Sequence, residues 1–218
     1  MFDVHRAAWG RRLLPVRRPF LSAAFLVLTF GVSTMTAAPA AAQSADDAVQ
    51  AAAYRAAARD PRQLDDKLFI LWEYAGALRE QALARIVLKA TNDPEIKALA
   101  TMVIDGHQLG MDIMRPIAAE LGVVLPQQPT AIDLAAIEAA GALPPDALEL
   151  FFLRRQRAMH AWDITVFDDY LSAARNKGLK RYVAATRAPL REHAEWVNRV
   201  AAKRGIEGGL TVFGAGGR

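Results

Sequence analysis

The sequence predicts an all-α protein, and three observations support this fold class. Apolar residues recur at three- and four-residue steps along most of the chain, as expected for helices with one buried face. No segment shows sustained alternation of apolar and polar residues, which a half-buried strand would need. Alanine dominates the apolar fraction and aromatic residues make up only 8% of the chain, which favours closely packed helices over a sheet.

The first 42 residues have the features of a signal peptide. Five arginines precede an apolar run at 20–32, and small residues follow up to Ala42, after which we expect cleavage. The run is too short for a membrane span, which needs about 20 apolar residues. The segment Arg-Arg-Pro-Phe-Leu at 17–21 resembles the twin-arginine export signature; an ordinary arginine-rich export signal is the alternative. We therefore expect an exported protein of the periplasm or cell envelope.

Charge and cysteine content argue against several functions. The chain has 27 basic and 23 acidic residues, but the leader holds five of the basic ones and one of the acidic ones. The remainder is therefore electrically neutral and gives no reason to expect nucleic acid or an anionic membrane surface as a partner. Cysteine is absent, so the chain has no disulfide, no thiolate metal ligand and no attachment site for c-type haem.

The first half of the mature chain is expected to form three helices. A short N-terminal helix at 44–59, within an N-terminal segment at 43–63, has Ser44 as its expected cap and is followed by Pro61. A long helix at 64–90 ends before the breaker Asn-Asp-Pro at 92–94. The next helix starts at Pro94 and continues to about residue 121, where Gly122 stops it.

The second half begins with a long connection at 123–144 that contains a short helix at 131–140. A third long helix follows up to about residue 175, and Asn-Lys-Gly at 176–178 is expected to form a tight turn. A fourth long helix then extends to residue 204. The predicted domain therefore covers 64–205, and a Gly-rich tail at 206–218 is expected to be disordered.

Loop lengths predict how the four long helices are connected. The short breaks make helices one and two, and helices three and four, antiparallel neighbours. One long connection between two such hairpins is typical of a ferritin-like four-helix bundle. An up-down-up-down order with a wandering loop is the alternative.

Four residues predict a metal site in the core of this bundle. His107, His160 and His193 fall near the middle of three different long helices, and Glu80 lies at a similar depth in the remaining one. Each sits on a largely apolar stripe at helical spacing, so each should point inward. A buried carboxylate has to be neutral, hydrogen-bonded or bound to a cation, because leaving it unpaired is costly.

Imidazole and carboxylate ligands suit Zn, Fe, Mn, Cu or Ni and do not choose among them. The alternative is a metal-free polar core in a non-enzymatic envelope or stress protein. Di-iron oxygen chemistry is disfavoured, because the residues three positions before the histidines are Ile104, Arg157 and Leu190 rather than carboxylates. We predict no catalytic residue and no organic cofactor. A homo-oligomer or an envelope protein that binds the N-terminal helix is the partner we would expect.

Several short motifs resemble an exported bacterial family, domain of unknown function 4142, often labelled "predicted outer membrane protein". They are the segments at 92–100 and 105–107, the Gly-Val-Val-Leu-Pro at 122–126, and Pro-Leu-Arg-Glu-His at 189–193. The resemblance covers about 68–200. It implies a ferritin-like bundle in the cell envelope, with His107, His160 and His193 at the family's recurring histidines and Glu80 at its helix-1 glutamate. It implies no settled activity. One departure is Gly106, where the family pairs an aspartate directly with the histidine.

Overall fold

A computed structural model describes residues 40–206 and contains helices but no strand in that range. The predicted tail, and all of the signal peptide except 40–42, lie outside the described residues, apart from Ile206. The helices are α1 (Ala40–Arg59), α2 (Asp66–Ala90), α3 (Pro94–Glu120), α4 (Ala131–Gly141), α5 (Pro145–Ala173) and α6 (Lys177–Ala202), and a 3₁₀ turn covers Pro61–Gln63. The all-helical prediction is confirmed.

Side-chain caps begin most of these helices. Asp65 accepts a hydrogen bond from the backbone N–H of Leu68 at 2.8 Å, and Asp93 and Thr130 cap α3 and α4 in the same way. Two local predictions were wrong. Helix α1 begins at Ala40, so Ser44 is not its cap. Residues 177 and 178 already belong to α6, because Asn176 acts as its N-cap.

The four long helices pack as two antiparallel hairpins, α2 with α3 and α5 with α6. Contacts at both ends fix how the hairpins face each other. At one end Tyr170 at the close of α5 donates a hydrogen bond to Asp66 at the start of α2, 2.5 Å away. At the other end Arg204 pairs with Asp93 at the start of α3. Consequently α2 lies antiparallel to α5, and the connection that contains α4 returns along the length of the hairpins.

Two separate hydrophobic clusters fill the interior. One contains the stacked rings of Phe69 and Tyr170, 3.9 Å apart between centroids, and the other surrounds Leu83, Leu99 and Phe152. Each long helix contributes buried residues to both clusters and leaves a gap of several residues between them. A polar layer occupies this gap. None of the described helices is both long enough and apolar enough to cross a bilayer.

Candidate functional site

All four residues predicted as metal ligands lie in the polar layer between the two hydrophobic clusters. Glu80 and His160 are buried, with 3% and 6% of their surfaces exposed, whereas His107 and His193 are half-buried. The apolar stripes therefore gave the correct facing for every one of them. The structure nevertheless divides them into two different environments.

Glu80 lies at the centre of a closed cluster of hydrogen-bonding side chains. Its Oε2 accepts a hydrogen bond from Gln156 Nε2 at 2.7 Å, and its Oε1 accepts one from Arg155 Nε at 3.1 Å. Arg79 Nε lies 3.4 Å from the same Oε1. We call these four residues the Glu80 cluster. Both carboxylate oxygens are already satisfied by protein donors.

Electrostatics keep Glu80 ionised. Burial alone would raise the pKa of its carboxyl group, but the guanidinium groups of Arg155 and Arg79 outweigh burial and hold the pKa below its usual value. Arg79 is itself buried and stacks over the ring of Tyr54, with 4.7 Å between its guanidinium carbon and the ring centroid. Helix α1, which carries Tyr54, therefore covers this cluster.

The histidines lie beside one another on the other side of the layer. The rings of His160 and His193 are 6.2 Å apart between centroids and inclined at 66° to each other. Nδ1 of His160 lies 2.9 Å from the backbone carbonyl oxygen of Gln156 and must donate there. The Nε2 lone pair of His160 is therefore free to accept a proton or bind a cation.

Burial keeps the imidazoles neutral. It lowers the pKa of His107 to about 4, although Glu80 acts in the opposite direction. Burial, together with the neighbouring His160 and His107, lowers the pKa of His193 to about 4, and burial lowers that of His160 as well. At neutral pH all three side chains are uncharged, which is the form that binds metals.

A groove of about 1890 Å³ opens between α3 and α6 and reaches all three histidines. The two helices meet at one end, where a Cβ added to Gly178 would lie 3.1 Å from Ile117 Cδ1. At the other end they are joined by the ion pairs of Arg204 with Asp93 and Glu95. The groove therefore lies between these two contacts, along the middle of the interface of α3 and α6. We call it the histidine groove. Glu80 does not line it.

Two carboxylates that the sequence argument did not propose as ligands line the histidine groove. Asp163 is one helical turn after His160 on α5, so the two side chains project from the same face. It makes no hydrogen bond or ion pair with another described residue, and burial raises its pKa well above the usual value. The i, i+3 spacing of His160 and Asp163 was the available signal for this residue.

Glu73 is the second carboxylate, and it is tied to α6. It accepts a hydrogen bond from the Tyr182 hydroxyl at 2.7 Å, while burial raises its pKa to about 7 despite that bond. Gly110 makes room for this link, because a Cβ there would lie 2.9 Å from the Tyr182 oxygen. A glycine in the middle of α3 therefore allows Tyr182 to reach across the groove.

A smaller, partly enclosed cavity of about 10 Å³ lies behind the groove. Glu73, His107 and Asp163 line both spaces and form the wall between them. The hydroxyl of Tyr54 and Nε1 of Trp72 are buried at this cavity without a hydrogen-bond partner among the described residues. This volume is about that of one water-sized probe, so a single water molecule is the occupant that fits.

The donor set of the groove suits a borderline metal ion, but the donors are not assembled. Within residues 40–206, no group of three His, Asp or Glu side chains lies close enough together to hold a metal. The neutral imidazoles, the anchored ring of His160 and the unpaired Asp163 are favourable features. Side-chain rotation across the groove would be needed to bring them onto one ion.

The fold and the site define a class: an all-helical protein whose long helices enclose a polar layer, with a histidine- and carboxylate-lined groove open to solvent. The chain belongs to the family described as domain of unknown function DUF4142, whose model matches residues 48–200. The resemblance found in the sequence is thereby confirmed at the level of the family. Comparisons with curated proteins and with solved structures give no significant match.

Proposed function

We propose that the protein binds one transition metal ion in the histidine groove, through His107, His160 and His193 together with Asp163. The observation that carries this proposal is that three neutral imidazoles and a half-buried carboxylate without a hydrogen-bond partner among the described residues line one solvent-open space. A cation there would remove the cost of partly burying the Asp163 carboxylate, and the carboxylate would in turn offset the charge of the ion.

Each residue has a distinct part in this proposal. His160 is oriented by its bond to the Gln156 carbonyl, the arrangement that commonly fixes a metal-binding imidazole. His107 and His193 approach from α3 and α6, the two walls of the groove. Glu80 supplies charge balance for Arg79 and Arg155 in this account. Its role as a ligand, which the sequence pattern suggested, stays a prediction.

Solvent access favours a reactive or exchangeable site over a closed structural one, because a closed site would have no position for a further ligand. Zn, Fe, Mn, Cu and Ni all suit these donors.

Elemental analysis tests the proposal. The full chain should be expressed with its leader, and the product purified from the envelope fraction without affinity tags or chelators. We expect about one equivalent of a single metal, lost in His107→Ala and retained in Gln108→Ala, the next residue on the same helix. A folded wild-type protein that contains no metal and takes up none on dialysis would refute the proposal.

The second candidate is a metal-free polar layer in a structural envelope protein. The Glu80 cluster favours it, because every carboxylate oxygen there has a protein donor and no ion is needed. In that case chelators leave the unfolding temperature unchanged, whereas a bound metal would raise it.

We further infer that the domain acts outside the cytoplasm, in the periplasm or cell envelope, and adopts a ferritin-like bundle. The leader at 1–42 and the crossover that contains α4 support these two proposals. Fractionation of cells that express the full chain tests the location. A mature N-terminus at residue 43 in the periplasmic or envelope fraction is the expected result.

A further inference from the structure

We propose that the histidine groove binds copper, and that the thioether sulfur of Met102 joins the imidazoles around the ion when copper is monovalent, as Cu⁺. This inference rests on the proposed function, because it names the ion and adds one donor to the same site. The observation that carries it is the presence of a methionine in the groove that the three histidines line.

Met102 supplies a kind of donor that the rest of the site lacks. Imidazole and carboxylate groups suit many divalent ions, whereas thioether sulfur is a soft ligand that selects Cu⁺. The chain has no cysteine, so methionine sulfur is its only soft donor. Among the described methionines, Met102 alone lines the histidine groove. Met111 and Met114 lie in the hydrophobic cluster of Phe69, and Met159 lines the small cavity.

Helix packing brings Met102 to the level of two of the histidines. The contacts at the two ends of the groove fix the antiparallel register of α3 and α6. In this register Met102 on α3 lies within about one helical turn of the level of His193 on α6. The ring of His193 in turn lies 6.2 Å from that of His160 between centroids. The sulfur and the two imidazoles therefore belong to one level of the groove.

Gly106 leaves the wall of α3 open next to Met102. It follows Met102 by four residues, so the two positions project from the same face of the helix, and both line the groove. The family has an aspartate at this position, directly before the histidine. With glycine there, no carboxylate at position 106 competes with the Met102 sulfur for an ion.

Met102 can change the position of its sulfur without a movement of the helix. The residue is half-buried and packs against the hydrophobic cluster around Leu83, Leu99 and Phe152. Its side chain is unbranched and has three rotatable bonds, so it adapts to a new partner more easily than a branched residue would. The site needs side-chain rotation to assemble its donors, and Met102 meets this need.

Cu⁺ is the ion that tests this inference. Cu²⁺ binds most nitrogen and oxygen sites more tightly than the other divalent ions of its row do, so its affinity would not reveal a sulfur donor. Zinc sites use imidazole, carboxylate or thiolate ligands, and Co²⁺ is the spectroscopic probe for the same imidazole and carboxylate donors. Removal of the thioether should therefore affect Cu⁺ and leave Co²⁺ unaffected.

The experiment is a pair of titrations of the processed product of the full chain after chelator treatment. Cu⁺ is added without oxygen, in competition with bicinchoninate, and Co²⁺ is added to a second sample. We expect Met102→Leu, which preserves apolar volume, to bind Cu⁺ at least about tenfold more weakly and Co²⁺ within about twofold of the wild type. Unchanged Cu⁺ affinity, or equal losses for the two ions, would overturn the inference.

Two methionines outside the groove provide matched controls. Met114→Leu changes a fully buried residue of the core, and Met159→Leu changes the residue directly before His160 on the cavity side. Both variants should bind Cu⁺ as the wild type does. A loss in Met159→Leu that equals the loss in Met102→Leu would refute the assignment of the sulfur to Met102.

X-ray absorption of the Cu⁺-loaded protein identifies the donor directly. We expect one sulfur neighbour of copper in the wild type and none in Met102→Leu, a change that a purely structural role of Met102 would not produce. Binding of Co²⁺ without tight binding of Cu⁺ would refute the copper inference and leave the metal-binding proposal standing. Binding of neither ion would refute both.

Discussion

Glu80 and Glu73 lie two helical turns apart on α2, yet their surroundings are opposite. Glu80 has two arginines and a glutamine around it, and its pKa is held below the usual value. Glu73 has one tyrosine hydroxyl, and burial raises its pKa to about 7. The Glu80 cluster is therefore a completed ionic network, whereas the histidine groove contains ionisable groups whose charged forms burial disfavours.

This difference separates structure from function within one polar layer. A completed ionic network is sensitive to the loss of any member, because the remaining charges stay buried. An incompletely satisfied groove costs stability in the absence of a ligand and gains when one binds. We therefore expect substitutions in the Glu80 cluster to affect folding most, and substitutions in the groove to affect binding most.

The largest effect is expected for Glu80→Ala. The change removes the nearer carboxylate partner of Arg79, with 8% of that residue exposed, and leaves only Asp133, whose Oδ1 is 3.8 Å from Arg79 Nη1. Breaking one side of a buried ion pair costs about 3–5 kcal/mol of unfolding free energy. Urea denaturation measures this cost. Asp163→Ala is the control and should cost far less without metal, since it removes a half-buried carboxylate that has no partner among the described residues. A larger cost for Asp163→Ala would reverse the assignment of the two regions.

A smaller loss is expected for Gly110→Ala, which tests how the groove is built. The added Cβ would lie 2.9 Å from the Tyr182 oxygen, so Tyr182 must shift and its bond to Glu73 is lost. We expect a loss of about 1–3 kcal/mol by urea denaturation. Gly76→Ala is the matched control, because its Cβ would meet Tyr54 at an ordinary 3.5 Å and alanine favours the helix. Equal losses of unfolding free energy in the two variants would contradict the conclusion that Tyr182 reaches across the groove to Glu73 past Gly110.

The smallest effect concerns pH. Because the pKa of Glu73 is raised from 4.5 to about 7, the folded chain holds a proton there that the unfolded chain has released between these values. The contribution of Glu73 to stability therefore decreases as pH rises through this window. The glutamine of Glu73→Gln does not titrate. Between pH 5 and pH 8, the unfolding free energy of this variant should therefore rise by about 1–2 kcal/mol relative to that of the wild type, measured without metal.

Glu95→Gln provides the opposite case. Lys203 and Arg204 lower the pKa of Glu95, so its contribution is present at neutral pH and is lost as pH falls through the lowered pKa. The unfolding free energy of the wild type should therefore rise relative to that of Glu95→Gln as pH rises. If the difference in unfolding free energy between the wild type and Glu73→Gln stays constant with pH, the pKa of Glu73 is not raised in the folded protein.

Much of the fold could be predicted from the sequence. Breakers such as Pro94 and Gly122 set helix ends within a few residues, because their backbone preferences act locally. The cap at Asn176 was read as a turn, since the same residue types serve both purposes. The inward facing of Glu80 and the histidines followed from helical periodicity alone.

The partners within the polar layer could not be predicted in this way. Periodicity gives the direction of a side chain but not which long side chains from other helices reach it. Arg155 and Gln156 contact Glu80 from α5, 75 and 76 residues away, and nothing local in the sequence indicates this pairing. The histidine groove between α3 and α6 likewise depends on how the two hairpins pack.

The central claim is that the ligands of the layer lie in the histidine groove and not in the Glu80 cluster. Titration of the chelator-treated protein with Co²⁺, followed by its visible absorption, tests this most directly. We predict about one equivalent bound by the wild type, affinity reduced at least tenfold in Asp163→Asn and His193→Ala, and near wild-type affinity in folded Glu80→Gln. Loss of binding in Glu80→Gln with full binding in Asp163→Asn would contradict the account and place the metal at Glu80.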